Sequence, residues 1–434
     1  MNIKAVFEHL QGISSVLGCF IFMTIAGNII TWGSIYSYVT SFLLSVDDSV
    51  TSSQVYLSSP LSYLTELLGV MLAPVLSKRF GTRVCLLLGG LVMGSGFIIM
   101  SRTNDVRVLV GSYSLLFGTG AGIVTSTAMR PAWEHFPRNK GTVGGLVMAG
   151  YSLAPMIVGV LFTYLVNPQN AKPIPFAHSV KFPSEVNDQV PDSLFIVGVL
   201  FMVQSVVGTL LIRPANNSRK PEGDSTQLQI PVASILKNKE FWAFSFMAFA
   251  IFFFWYFFVG MYKTFALVFI DDDHFVTYVG SFANVVGAFG RWLWPTLLDY
   301  FPYKPVMTAC VGYQLFITLT LYFVVSNKYL YAVSIITLFF CTAGMFPSLA
   351  VLTEKFFKKA AQQVWPFVFL GVSLTSGTSI ALNYLAEAYG YVPVFSLSSV
   401  VLAFSLFLIW KIREDQFTLD KSLDEAFEPL LEQV

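Results

Sequence analysis

"PVLSKRFGTR", residues 74–83, returns in altered form 221 positions later as "PTLLDYFPYK", residues 295–304. Pro74 falls on Pro295, Leu76 on Leu297, Phe80 on Phe301 and Arg83 on Lys304. The same offset carries Phe136 onto Phe357, Arg138 onto Lys359, Gly150 onto Gly371, Ser152 onto Ser373 and Leu153 onto Leu374. One offset held at separated places points to an internal duplication. The chain therefore reads as two copies of one unit.

Working outward, each copy is mostly apolar. The 434 residues are 55% hydrophobic and only 12% charged, where a soluble domain carries about 25% charged residues. The missing charge means lipid-facing surface, and a net charge of +1 gives no reason to expect a nucleic-acid partner. Cys19, Cys85, Cys310 and Cys341 all sit in apolar runs without disulfide or zinc spacing. His9, His135, His178 and His274 are scattered, so no metal site is expected.

A span needs about 20 mostly apolar residues. Twelve candidates, numbered spans 1 to 12, cover 14–43, 56–77, 84–101, 107–129, 141–166, 193–212, 241–262, 275–297, 305–325, 329–352, 363–386 and 391–411. The run after "MNIKAVFEHLQG" is too long for a cleaved signal and is taken as span 1. Two connections are long: 167–192, and the polar stretch 213–240, which divides the spans six and six. The expected organisation is an all-α membrane protein. It has an N-terminal six-helix half at 1–212, a linker at 213–240, a C-terminal half at 241–411 and a tail at 412–434. With the N-terminus in the cytosol, basic residues such as Lys78, Arg79, Arg83, Arg138, Lys140, Arg213, Lys304 and Lys411 fall on the inner side. Only Arg102, Arg107, Lys172, Lys181 and Lys328 fall on the outer side. That bias places both termini in the cytosol, with the plasma membrane or an organelle membrane left open.

The repeated decapeptide resembles the loop between spans 2 and 3 of the major facilitator superfamily, written G-x-L-x-D-R-x-G-x-R. Leu76, Arg79, Gly81 and Arg83 match it, while Pro74 and Lys78 replace the usual Gly and Asp. The second copy keeps Leu297 and Asp299. Residues 117–155, "FGTGAGIVTSTAMRPAWEHFPRNKGTVGGLVMAGYSLAP", are similar to the oxalate/formate-antiporter branch, a neighbour of the monocarboxylate transporters. So is "ANVVGAFGRWLWPTLLD", 283–299, which resembles that branch's N-x-x-G-R-x-x-W-x-x-x-x-D span 8. The resemblance implies twelve helices in two pseudo-symmetric halves and secondary transport by alternating access. It also implies a span 8 arginine, Arg291 here, that binds a substrate carboxylate.

Arg291 earns the same attention on its own chemistry. Ser281, Asn284, Ala288, Arg291 and Pro295 fall on one helical stripe, small and polar enough to line water. An intramembrane charge is a functional hypothesis by default, and a guanidinium can grip a carboxylate with two parallel hydrogen bonds. Oxalate-exchanging relatives add a span 11 lysine; this chain offers Ser373, Ser376 and Asn383 there. Monocarboxylate transporters pair the arginine with an aspartate one turn earlier, where this chain has Gly287, and carry a span 1 lysine absent here. A single cation suits a monoanion better than a dianion.

Glu66, midway along span 2, shares a face with Ser59, Ser62, Tyr63, Gly69 and Ala73 and is the candidate for carrying a proton. The alternative role is a neutral carboxyl hydrogen-bonded within the first half. Asn28, Tyr36, Tyr262, Asn284 and Ser373 are further candidate substrate contacts, and Trp255 is another aromatic of that kind. Arg79, Gly81, Arg83, Arg130 and Asp299 are assigned to gating loops. Lys263, near the outer end of span 7, is expected to snorkel to the interface. "LGGLVMGSG" in span 3 and "GTGAG" in span 4 allow close helix contact. The tail "REDQFTLDKSLDEAFEPLLEQV" is a solvated end or a sorting signal.

The expected function is secondary transport of a small monocarboxylate-like anion, driven by protons or by exchange. The partners are that anion, protons and the lipid bilayer, and a monomer is expected to suffice. No cofactor, nucleophile–base constellation or phosphate loop appears, so no enzyme or ATP-driven pump is expected. The alternatives are a carrier of neutral solutes or amino acids, and a transport-inactive membrane sensor.

Overall fold

The computed structural model describes residues 3–47, 49–136, 140–176, 179–213, 232–357 and 361–412. Among these, eleven helices are long and apolar enough to cross a membrane. Span 8, Asp273–Tyr300, is not among the eleven, yet its 28 residues give it about 42 Å of length at 1.5 Å per residue. It is the most amphipathic of the long helices. That is the expected price of placing Arg291 and its polar stripe on one face. With it, the twelve spans of the sequence reading are all present.

Several spans are interrupted rather than straight. Span 1 runs as Ile3–Ala26 and Asn28–Val46, broken at Gly27 where the backbone meets Tyr151 of span 5 without room for a side chain. Span 2 runs as Ser52–Tyr56 and Ser58–Phe80, started by a reciprocal cap between Thr51 and Gln54. Span 4 contains a π-helical stretch, Ser112–Gly118, and span 5 another, Pro155–Gly159. Span 7 is Lys239–Leu267, capped by Asn238, and Asp272 caps span 8. Span 2 ends at Gly81, whose φ of +83° only glycine adopts without strain.

Spans 1 to 6 pack on one another, as do spans 7 to 12. The halves meet where span 1 crosses span 7, span 2 crosses span 11 and span 5 crosses span 8. The last two pairs are equivalents under the internal repeat. Within the first half, spans 2 and 4 touch backbone to backbone: a methyl at Gly69 would collide with the Thr119 carbonyl, and one at Gly122 with the Glu66 carbonyl.

The long 167–192 connection holds a two-stranded antiparallel pair, Ile174–Phe176 with Ser179–Lys181, and a short helix, Ser184–Asn187. Ser41 of span 1 ties it down, accepting from the Phe182 amide at 2.7 Å and donating to Asn187 Oδ1 at 2.8 Å. Residues 214–231 of the linker and 413–434 of the tail lie outside the described residues. Val232–Lys237, inside the stretch read as linker, is helical.

Candidate functional site

Call the end where span 1 begins and span 12 finishes the terminal end. By helix rise, Arg291 sits about 27 Å along span 8 from Asp273 and about 13 Å from Tyr300. Its side chain is partly exposed. Nη1 donates to Ser152 Oγ of span 5, and the guanidinium lies over the Tyr151 ring, 5.4 Å from its centroid. Among the described residues it makes no ion pair. One hydroxyl and one ring face do not neutralise an arginine, which stays charged wherever it is placed. No hydrogen bond joins its other N–H groups to a described residue.

Glu66 lies fourteen residues from each end of span 2 as it runs from Ser52 to Phe80, on the other half of the molecule from Arg291. Thr125 Oγ1 of span 4 donates to its Oε1 at 3.4 Å, a long bond, and the side chain is partly exposed. Tyr63 lies three residues before Glu66 on span 2, on the same helical face. Tyr63 meets Tyr256 of span 7 edge-on with centroids 4.5 Å apart. Tyr151 beneath Arg291 and the Tyr63–Tyr256 pair thus place tyrosines of both halves along the seam between them.

The other candidate contacts are less free. Asn28 donates to Thr24 O at 2.7 Å and Ile25 O at 3.2 Å and accepts from Thr31, so its amide bridges the break in span 1. Asn284 donates to Gly280 O at 2.9 Å within its own helix. Tyr36 donates to Ser52 O at 2.8 Å near the far end of spans 1 and 2. Tyr262 shares a 2.6 Å hydrogen bond with Ser34 across the halves. Ser373 is buried in span 11, and its carbonyl accepts from Ser376. Trp255 packs on Phe339. The structure sets Arg291 against Ser152 and Tyr151, and Glu66 against Thr125. It leaves Asn28 and Tyr36 in separate contacts.

At the terminal end, Arg79 is exposed and lies over the Phe80 ring, and Arg83 donates to Thr209 O of span 6 at 3.1 Å. Arg83 and Gly81 line an open cleft of about 480 Å³ with Glu134 and Arg213. Arg130 pairs with Glu134 at 3.1 Å, both well exposed. The side chain of Asp299 lies outside the described residues.

Lys263 differs from its expectation. It does not snorkel: it is fully buried and pairs with an equally buried Asp273, Nζ to Oδ1 at 2.8 Å. In the sequence Asp273 follows Asp271 and Asp272 in the connection between spans 7 and 8. The signal for the pair is proximity: Lys263 lies in the last turns of one helix, Asp273 starts the next, and the joining loop is short. Among the described residues no group of three or more His, Cys, Asp or Glu is placed to hold a metal.

This architecture, two six-helix halves around a sparsely charged centre, is that of a secondary transporter. The sequence profile of the Major Facilitator Superfamily matches residues 16–365, and the chain belongs to that family, an integral multi-pass membrane protein. Its fold is similar to the nucleoside transporter NupG, with a TM-score of 0.68 at 14% identity, covering 92% of this chain and 99% of that one. A D-xylose-proton symporter gives 0.68 at 13%, covering 95% and 99%. In sequence, the chain is 36% identical to the oxalate:formate antiporter of Oxalobacter formigenes over 88 residues, which is 19% of this chain and about a fifth (21%) of that protein. Apicoplast pyruvate carrier 1 of Toxoplasma gondii is 23% identical across 87% of this chain and 83% of its own. Monocarboxylate transporter 1 of Bos taurus is 27% identical over 131 residues, 29% of this chain and 26% of its own.

Proposed function

We propose that the chain carries a small organic monoanion, with Arg291 as the carboxylate contact. The single observation that carries this reading is an arginine at membrane depth, partly exposed, with a hydroxyl and a ring face as neighbours and no described ion pair. A charge at membrane depth without a counter-charge is costly, and an anionic substrate supplies that charge during part of the cycle. The relatives named for oxalate, formate, pyruvate and monocarboxylates support the same class. Glu66 is the proton-carrying candidate, positioned on the opposite half against Thr125. Both termini are assigned to the cytosol on the distribution of Lys and Arg. Asn284, Tyr262 and Ser373 remain candidate walls of the site, and Arg79, Gly81, Arg83, Arg130 and Asp299 candidate gating residues.

The test is uptake by purified protein in proteoliposomes, with labelled monocarboxylates, oxalate, a sugar and a nucleoside offered in turn. The reading expects saturable monocarboxylate uptake that Arg291→Gln removes. Uptake of the neutral solutes alone, or monocarboxylate uptake untouched by Arg291→Gln, overturns it.

A further inference from the structure

The hydrogen bonds that cross between the halves, among the described residues, run from Arg291–Ser152 to the end opposite the termini. Spans 5 and 8 are joined there by Ser281 Oγ to Pro155 O at 3.3 Å, by Thr163 and Thr277 at 3.2 Å and by Tyr164 with Tyr278. Spans 2 and 11 are joined by Asn383 to Ser53 Oγ at 2.7 Å and by Ser53 to Glu387. Toward the terminal end, Ile3–Ala26 of span 1 and Met345–Phe357 of span 10 pack chiefly within their own halves. Among the described residues, the hydrogen bonds between the halves thus gather on the side opposite the termini.

On that side lies the Lys263–Asp273 pair, both side chains wholly buried. Asp273 Oδ2 accepts from Tyr38 of span 1 and, at 2.9 Å, from Asn167 at the end of span 5. Lys263 Nζ donates to Thr277 at 2.8 Å, to Tyr38 at 3.0 Å and to Thr163 at 3.4 Å, and lies over the Tyr38 ring at 4.2 Å. Lys263, Asp273 and Thr277 belong to the second half; Tyr38, Thr163 and Asn167 belong to the first. The charges are thus both on one half, and apart from Thr277 the groups that replace their water are on the other.

We propose that this pair is the latch of the end opposite the termini. Its two charges stay together through the cycle while Tyr38, Thr163 and Asn167 clasp and release them. Each half contributes what the other lacks. Without the clasp, the ion pair is exposed to water. With it, both ions are dehydrated, but Lys263 and Asp273 Oδ2 keep hydrogen-bond partners and Asp273 Oδ1 keeps its ion pair. The shut state therefore tolerates the two charges together and penalises either alone, because a lone buried charge has no compensation. The open state, being hydrated, is nearly indifferent. The latch operates whichever solute occupies the centre, so its failure and that of the monoanion reading are separable.

The experiment follows the rate at which a membrane-impermeant maleimide labels Ser34→Cys in nanodiscs. Ser34 is 2% exposed here and bonds Tyr262 beneath the latch, so it becomes accessible when that end opens. The four native cysteines are buried and give the background. Lys263→Met or Asp273→Asn, each in the Ser34→Cys protein, should label about tenfold to a hundredfold faster, as the shut state loses its preference. Lys263→Met with Asp273→Leu together should return the rate to within a few-fold of the parent. Tyr38→Phe keeps both charges and should give a smaller rise, about several-fold, from loss of one hydroxyl. Thermal unfolding of each variant checks that the protein is folded; if a single-charge variant does not fold, Tyr38→Phe and the double variant decide. Single-charge variants and Tyr38→Phe labelling at the parental rate overturn the proposal, as does a double variant labelling as fast as either single.

Discussion

Arg291→Lys separates the shape of the cation from its charge. The guanidinium gives one N–H to Ser152 and lies on Tyr151, leaving further N–H groups to meet both oxygens of a carboxylate. Lysine keeps the charge but loses one of two charge-assisted bonds, worth about 1.5–3 kcal/mol. It also loses the planar contact with the tyrosine face, about 0.5–1 kcal/mol at a hydrated site. Together these come to about 2–4 kcal/mol, and because the site is partly wet the lower end applies, equivalent to about a 30-fold weaker affinity. Counterflow of a labelled monocarboxylate into preloaded proteoliposomes measures this as a rise in half-saturating concentration, with the total protein inserted held constant. A half-saturation within threefold of the parent would show that the anion is not held by two parallel N–H groups.

The remaining expectations concern Glu66, the span 2–4 contact and the terminal-end loops. Glu66→Gln removes a titratable proton without changing shape, and should abolish uptake driven by an imposed pH gradient while sparing solute exchange; unchanged gradient-driven uptake removes Glu66 from the coupling role. Gly122→Ala forces a methyl onto the Glu66 carbonyl, an overpacked contact that should cost about 1–3 kcal/mol and lower the thermal unfolding midpoint. Gly81→Ala meets no neighbour within 4 Å but must hold φ near +83°, which should cost about 1–3 kcal/mol of stability by backbone strain alone. Glu134→Ala breaks an exposed pair with Arg130 and should change stability by less than about 1 kcal/mol; a large loss of transport in that variant would assign the pair to the gate.

Much of the architecture was legible because lipid enforces a simple rule: a helix needs a long apolar run to cross. The repeat between 74–83 and 295–304, and the depth of Arg291 and Glu66, followed from that rule and one offset. What was hidden depended on contacts between helices far apart in sequence. Asn28 and Tyr36 look like cavity residues as single letters, yet their polar atoms are engaged at a helix break and a neighbouring backbone. Lys263 looked like an interfacial lysine because its partner is on another helix and its clasp comes from the other half. Periodicity reports which face a residue occupies. It does not report what the face meets. The interruptions at Gly27, Ser112–Gly118 and Pro155–Gly159 were equally invisible, since they answer to neighbours rather than to local composition.

The bare-backbone seam between spans 2 and 4 has a mechanical consequence. With no side chain between Gly69 and Thr119, or between Gly122 and Glu66, the two helices have nothing to roll on. They move as one lever, and Thr125 travels with the acid it touches. In the proposed transport cycle, the quantity that varies as the halves rock is then the gap between an acid riding on one lever and a guanidinium riding on the other.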